Sequence, residues 1–334
     1  MSIERRRAVR LERIAVSSDF IRFLILIAVI LLFALLTNGR TVSAIGINNI
    51  LQQTATVGIV AIAQTFVMLT GAIDISFYGA GLFISVLGAA TMTSRYDLNI
   101  VGGEPVPISV GIGLMILAGI SVGFVNGFVS SYFAVPALVV TLGTWQITQG
   151  LAQFLGQGYT ITDLPEALKP FGRGEILGLP IPVWLMLGLF VAAYVVLQHT
   201  RFGRAIYAVG GNPGSAHLSG INVRRIQVGV FVVAGLLLAI AAISVEARLM
   251  AVSNRTFLGI TIDSIAAVTV GGVSIYGGRG TIAGVFLGTF ILAVIGNGLN
   301  SIGATPDIQG VTKGAIILAA IAIDSHQSRR RNLV

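Results

Sequence analysis

Long apolar runs separated by short polar intervals set the pattern of this chain. About 20 apolar residues are needed to cross the hydrocarbon core of a bilayer as a helix. Read at that length, the runs predict ten spans: residues 20–36, two within 50–93, then 108–133, 137–155, 183–198, 226–245, 263–276, 281–299 and 308–323. The run 50–93 is interrupted at TGAIDIS, residues 70–76, which places Asp74 at a break. The run 263–276 is short and ends at GGRG, residues 277–280. Each half therefore carries a polar break with an aspartate, Asp74 or Asp263, followed by a glycine-rich helix. Paired interruptions of this kind point to a transport pathway. In the fourth span Gly119, Gly123 and Gly127 recur every fourth residue, a face on which helix backbones can approach closely in lipid.

Between the apolar runs lies one long polar interval, residues 201–223. It has a basic entry (Arg201, Arg204), a Gly-Gly-Asn-Pro-Gly turn at 210–214, a helix-capable piece at 215–219 and a basic exit (Arg224, Arg225). Proline lacks the amide donor and pushes its predecessor to extended conformations, so the Asn-Pro-Gly step stops a helix. A new helix can restart at Ser215, whose hydroxyl can cap free amides. The interval reads either as a rigid knob or as an ordinary loop between spans.

Composition agrees with the spans. Only 10% of the 334 residues are charged and 55% are hydrophobic, with mean hydropathy +0.91. Soluble domains carry about 25% charge, so this chain cannot coat a globular surface. The net charge of +8 gathers at Arg5, Arg6, Arg7, Arg10 and Arg13, in the 201–225 interval, and at Arg329, Arg330 and Arg331. That clustering fits the positive-inside rule better than nucleic-acid binding, and puts both termini in the cytoplasm. A signal peptide also begins with positive charge, but no small-residue cleavage site follows the first run. Three divisions follow: a cytoplasmic segment 1–19, a membrane domain 20–325 holding the loop 199–225, and a basic tail 326–334. Without cysteine there is no disulfide or thiolate chemistry. His199, His217 and His326 are too scattered for a metal site, and no nucleophile–base pair is apparent.

An ionisable side chain at the bilayer centre costs about 3 kcal/mol on insertion scales. Asp74 should therefore face a cavity or a partner, or else cap the following helix through the Ser76 or Phe77 amide. Asn126, Asn297 and Asn300 can bind solute hydroxyls or bond between helices. Glu246 and Arg248 read as a solvated pair at the end of a span, or as a contact for a partner protein. An ion-coupled transporter would need deep ionisable groups, and Asp74 and Lys313 are the candidates.

GGNPGSAHLSGINV (210–223) resembles the cytoplasmic coupling loop of permeases of ATP-binding-cassette (ABC) sugar importers, the ribose, galactose, xylose and autoinducer-2 group. TGAIDIS (70–76), VPALVVTLGT (135–144), DSIAAVTVGGVSIYGGRGTIAG (263–284) and NGLNSIGATPDIQGVTKG (297–314) are similar to further motifs of that family, in order. The departures are Gly214, where the family usually has an acidic residue or alanine, and His217, where it has arginine or lysine. Phe77 and Tyr78 replace valine and glycine, and Tyr78 should narrow the pathway or change helix packing.

The resemblance implies an all-α, polytopic, non-catalytic permease of about ten helices with broken helices and a coupling helix, in a bacterial cytoplasmic membrane. It implies no cofactor. The implied partners are a cytosolic ABC ATPase with two nucleotide-binding domains, an external solute-binding protein, a second permease copy and membrane lipid. The chain has no phosphate-binding loop of its own. Coupling is expected at Gly211, Asn212, Ala216, Leu218, Ser219, Gly220 and Ile221, and the substrate route at Asp74, Ser76, Asn126, Asn297 and Asn300.

Overall fold

The computed structural model describes residues 3–95, 97–102 and 104–332, with side chains described within 19–322. The arginines of residues 1–13 and the tail 326–334 fall outside those side chains. Among the described residues the chain is almost wholly helical. Its helices are α1 Ile3–Leu36, α2 Ala44–Leu69, α3 Phe77–Met92, α4 Ile108–Tyr132, α5 Ala137–Gly156, α6 Lys169–Arg173 and α7 Ile181–His199. They continue with α8 Arg201–Gly211, α9 Pro213–Leu218, α10 Val223–Leu249, α11 Ile260–Val270, α12 Ile282–Ser301 and α13 Pro306–Asn332. One small hairpin pairs β1 Glu175–Ile176 antiparallel to β2 Leu179–Pro180.

Ten of these helices stand where the ten apolar runs predicted spans. Among the described residues, six helices are long and apolar enough to cross a membrane: α1 from Asp19, α2, α4, α7, α10 and α12. Helices α3 and α11 have 16 and 11 residues, or about 24 and 16 Å at 1.5 Å per residue. Neither covers a core of about 30 Å. Threonines and glutamines interrupt α5, while α13 carries Asp307 and Lys313 in its first part.

The centre of the fold is α2, buried over nearly its whole second half and packed against α7, α10, α11 and α12. Without a hydrophobic drive between helices in lipid, close packing has to hold them. The glycine stripe of α4 does this. Gly119 and Gly123 lie against the backbone of α10 at Gly235 and Phe231, and a Cβ on Gly127 would come within 2.8 Å of the Val228 Cα. Gly235 faces back onto the Gly119 carbonyl. The i+4 spacing seen in the sequence is thus a two-sided seam.

At the far end of this seam α10 runs past Val245 to Leu249, which overturns one expectation. Glu246 and Arg248 are not a solvated end pair: Glu246 is buried and Arg248 half-buried. The reason is a cap formed by the polar connections. Gly172 sits on the backbone at Ala247 and Arg248, and Arg173 Nε donates to the Arg248 carbonyl at 2.7 Å. An isolated bridge joins Ile161 to Val252, and the Thr93 hydroxyl donates to the Thr162 carbonyl at 2.7 Å.

The seam makes a prediction. Gly235→Leu is expected to lower the thermal midpoint in detergent by several degrees, because overpacking a tight contact costs about 1–3 kcal/mol. Gly143→Leu, at a helix position with open space around it, should leave the midpoint unchanged. Equal midpoints for both variants would show that the seam does not hold the fold.

Candidate functional site

The first site element is the broken segment between α2 and α3. Helix α2 ends at Leu69, and Gly71 turns the chain with φ +80°. The stretch to Ser76 is not helical, so its polar groups need partners from elsewhere. Asp74, 3% exposed, supplies them locally. Its Oδ1 accepts the Ser76 amide at 2.8 Å and the Ser76 hydroxyl at 2.6 Å. The Asn126 amide of α4 donates to the Ser76 hydroxyl at 3.0 Å and to Asp74 Oδ2 at 3.5 Å. The Thr144 hydroxyl of α5 donates to Asn126 Oδ1 at 2.6 Å. Three of the five residues expected along a substrate route thus form one buried interhelical network. They spend their polar atoms on each other and on Thr144, a partner absent from the expected set.

The other two lie elsewhere. Asn297 is buried on α12 with its Oδ1 unpaired, and Asn300 is exposed at the end of that helix. Tyr78, expected either to narrow a pathway or to alter packing, does the second. Its hydroxyl donates to the Asn254 carbonyl at 2.8 Å, its amide donates to the Thr261 hydroxyl at 3.0 Å, and its ring meets Trp145 edge-on.

Asp263 does not sit in a break. It lies in the first turn of α11, where Lys313 of α13 pairs with it at 2.7 Å. The second interruption comes after α11, from Gly271 to Thr281, and it meets the first directly. The Gly278 amide donates to the Leu69 carbonyl at 2.9 Å. A Cβ on Gly277 would lie 2.6 Å from the Gly71 amide nitrogen and 3.0 Å from the Gly210 carbonyl, and one on Gly278 2.7 Å from Gly211. Gly277 and Gly278 have φ +86° and +69°, where side chains are strained. The ends of α2 and α8 and the turn after α11 therefore join through backbone contacts at glycine. Arg22 of α1 closes the same region, its Nε donating to the Val270 carbonyl at 3.3 Å. A cation at a helix C-terminus is favourable.

That junction revises the polar interval. Gly210 and Gly211 do not form a turn; they end helix α8. At Gly210 a Cβ would strike the Leu69 carbonyl, whereas one on Gly211 would meet open space. The break is Asn212 alone. Its Oδ1, rather than Ser215, caps α9 by accepting the Ser215 amide at 2.9 Å, with Pro213 at the first helical position, where no amide is needed. Gly220, φ +82°, ends α9, with Ile221 N–H donating to the Ala216 carbonyl at 3.0 Å and Gly220 N–H to His217 at 2.9 Å. This double closure is a Schellman motif.

Of the seven expected coupling residues, Gly211, Asn212, Leu218, Ser219 and Gly220 are exposed, Leu218 at 90%. Ile221 is half-buried and Ala216 is buried at 4%, so Ala216 faces the protein. Between α9, the α4–α5 connection and the broken segment lies a cavity of about 1190 Å³, bordered by Thr70, Ile73, Ser130, Pro136, His217 and Gln227. Among the described residues no three His, Asp or Glu side chains gather to hold a metal.

The network carries a stability prediction. Asp74→Ala orphans the Ser76 amide and weakens the Asn126 contact, and each orphaned buried group costs about 1–3 kcal/mol. Asn126→Ala should cost a similar amount. Residues in one network couple by about 0.5–3 kcal/mol, so the double variant is expected to lose less than the sum of the single ones in unfolding from detergent micelles. Strict additivity would mean that Asp74 and Asn126 act independently.

The model of the family described as "Branched-chain amino acid transport system / permease component" matches residues 46–321. The ribose import permease protein of Escherichia coli K12 is 35% identical over 311 residues, covering 92% of both chains. The fructose import permease protein of Rhizobium meliloti is 34% identical, over 90% of this chain and 83% of its own. The xylose transport system permease protein of Escherichia coli K12 is 30% identical, over 93% and 92%. No solved structure matches the chain. A match across most of the helices, from α2 into α13, takes in the broken segment, the junction and α9 together, and the chain belongs to this family of transport-system permease components.

Proposed function

We propose that this chain is the membrane-spanning, non-catalytic subunit of an ATP-driven importer that carries a pentose or hexose into the cytoplasm. The carrying observation is the extended identity to permeases named for ribose, fructose and xylose. The family description speaks of branched-chain amino acids, but the ribose, fructose and xylose permeases match along nine-tenths or more of this chain. ATP would be hydrolysed by a separate ABC ATPase with two nucleotide-binding domains. Sugar would be delivered by an external solute-binding protein, and a second permease copy would complete the pathway. The protein would sit in the bacterial cytoplasmic membrane with both termini inside.

The geometry of α9 supports the ATPase partner. The helix is short, capped at both ends, and carries the junction at its base. Leu218 stands out from it almost fully exposed, an apolar side chain whose burial is worth about 1.5–3 kcal/mol. That is enough to seat the tip in a groove and little enough to release it.

The competing reading is ion-coupled transport. It needs an ionisable group free to take up and give back an ion. Asp74 is engaged by Ser76 and Asn126, and the Lys313 charge is already balanced by Asp263, so neither deep candidate is an unpaired ionisable group. Uptake in liposomes separates the two. Vanadate should stop it and a protonophore should not; the reverse result would establish ion coupling.

Leu218→Asp is expected to leave the permease inserted but to reduce co-purification with the ATPase and sugar-stimulated hydrolysis by at least tenfold. Gly220→Trp is a poorer probe, since φ +82° strains any side chain there. Undiminished stimulation in Leu218→Asp would place docking elsewhere, for example near Arg279.

A further inference from the structure

Around Asp74 the buried polar groups partner one another. Elsewhere Gln64, Ser85, Ser131, Glu246 and Asn297 keep buried side-chain atoms without a hydrogen bond, and of these Asn297 shares a helix face with a residue that borders a charged pair. Asn297 is 8% exposed and its Oδ1 has no hydrogen bond. It shares one stripe of α12 with Ala293 and Asn300, at i, i+4 and i+7. Ala293 borders a cleft whose other walls are Gln53 and Val57 of α2, Asp263 of α11, Leu292 of α12 and Lys313 of α13. Gly296 leaves space for Gln53; a Cβ there would lie 3.4 Å from its Nε2.

Within the cleft, Lys313 Nζ lies 2.7 Å from Asp263 Oδ1 and 3.0 Å from Oδ2, with the two side chains 23% and 16% exposed. Lys313 comes seven residues after Pro306 at the start of α13, and Gln53 nine after Ala44 at the start of α2. At 1.5 Å per residue both sit about 10–14 Å below the helix ends that lie opposite α9. The charged pair therefore stands about two helical turns in from those ends and is partly exposed. Facing lipid there is costly, and ionisable groups at such depths face water-filled space or one another. The cleft holds about 10 Å³, room for about one water, so this side is nearly closed while the α9 side holds the large cavity.

We propose that the stripe from Asn300 and Asn297 down to Gln53, Asp263 and Lys313 is the water-facing entry stretch of the transport route. Its ligand class is a neutral polyol. Adjacent hydroxyls can donate to the Asp263 carboxylate and accept from the Lys313 ammonium and the Gln53 amide, while the free Asn297 oxygen takes a further hydroxyl donor. A neutral ligand passes without changing the charge of the site. The ligand class rests on the sugar-permease reading above; the water-facing stripe does not.

The chain has no cysteine, so single cysteines report directly. Asn300→Cys, Asn297→Cys and Gln53→Cys, each in the permease–ATPase complex reconstituted in liposomes, would be exposed to a charged, membrane-impermeant methanethiosulfonate. Leu318→Cys, on the apolar exposed surface of α13, serves as the lipid-facing reference. All three stripe cysteines are expected to react at least tenfold faster than the reference, and the transported sugar among ribose, fructose and xylose should slow that reaction at least threefold. Lys313→Met should raise the sugar concentration needed for half-maximal uptake at least tenfold in an assembled complex. Stripe cysteines as inert as Leu318→Cys would overturn the proposal. So would fast labelling that no transported sugar slows, or unchanged uptake in Lys313→Met. If the protein carries none of the three sugars, the sugar reading fails and the labelling rates alone decide the stripe.

Discussion

A backbone amide or carbonyl left unpaired inside a bilayer costs several kcal/mol, so a helix can stop there only where protein takes over its hydrogen bonds. Most of what is distinctive in this fold follows from that constraint. The segment between α2 and α3 stops being helical, and several of the freed groups find partners either within the segment or on other elements. Leu69 gives its carbonyl to Gly278, Ser76 its amide to Asp74, Ile75 its amide to Thr141, and Tyr78 its amide to Thr261. Partners come from α5, α11 and the turn after α11. A break in one helix therefore binds several others, and Asp74 is better understood as a substitute backbone acceptor than as a solitary charge.

The same constraint explains why glycine gathers where it does. The end of α8 must come close enough to Leu69 and Gly278 that a Cβ would collide with backbone. Backbone contacts of this kind are stiff, because no side chain lies between to yield. Helix α9 begins one residue after α8 ends, with Asn212 as the only non-helical link. Displacement of α9 by a docked partner would thus reach the broken segment through two covalent steps and one backbone junction. The cavity bordered by both α9 and Thr70–Ile73 lies along that line.

Hydropathy carried the helices and the break at 70–76, but not the second break, which follows α11 instead of falling at Asp263. Ten runs became ten helices, since the apolar count per segment is a property of the sequence. The Gly119–Gly123–Gly127 face was equally legible, its period being that of a helix. Glu246 was misread because a polar residue near a run's end looks like an exit, and only the cap over Ala247 shows otherwise. Gly210–Gly211 looked like a turn because glycine doublets usually mark one; the close approach to Leu69 depends on chain segments far apart in sequence. Ala216 was placed on the coupling surface although the phase of a six-residue helix is set by its caps, Asn212 and Gly220. The signal that could have revealed the junction was the recurrence of glycine pairs at 210–211, 271–272 and 277–278.

Whether a buried polar group is satisfied makes a distinction that burial alone does not. Asp74 and Asn297 are both buried, both polar and both in interrupted or helix-end regions. Asp74 has its oxygens engaged, so removing it should be felt as lost stability. Asn297 holds an oxygen with nothing to accept from, which a folded protein tolerates at a cost comparable to a lost hydrogen bond. The neighbouring charged pair is partly exposed. A transport route has to stay polar without being satisfied by its own walls, and the α12 stripe meets that condition where the Asp74 network does not.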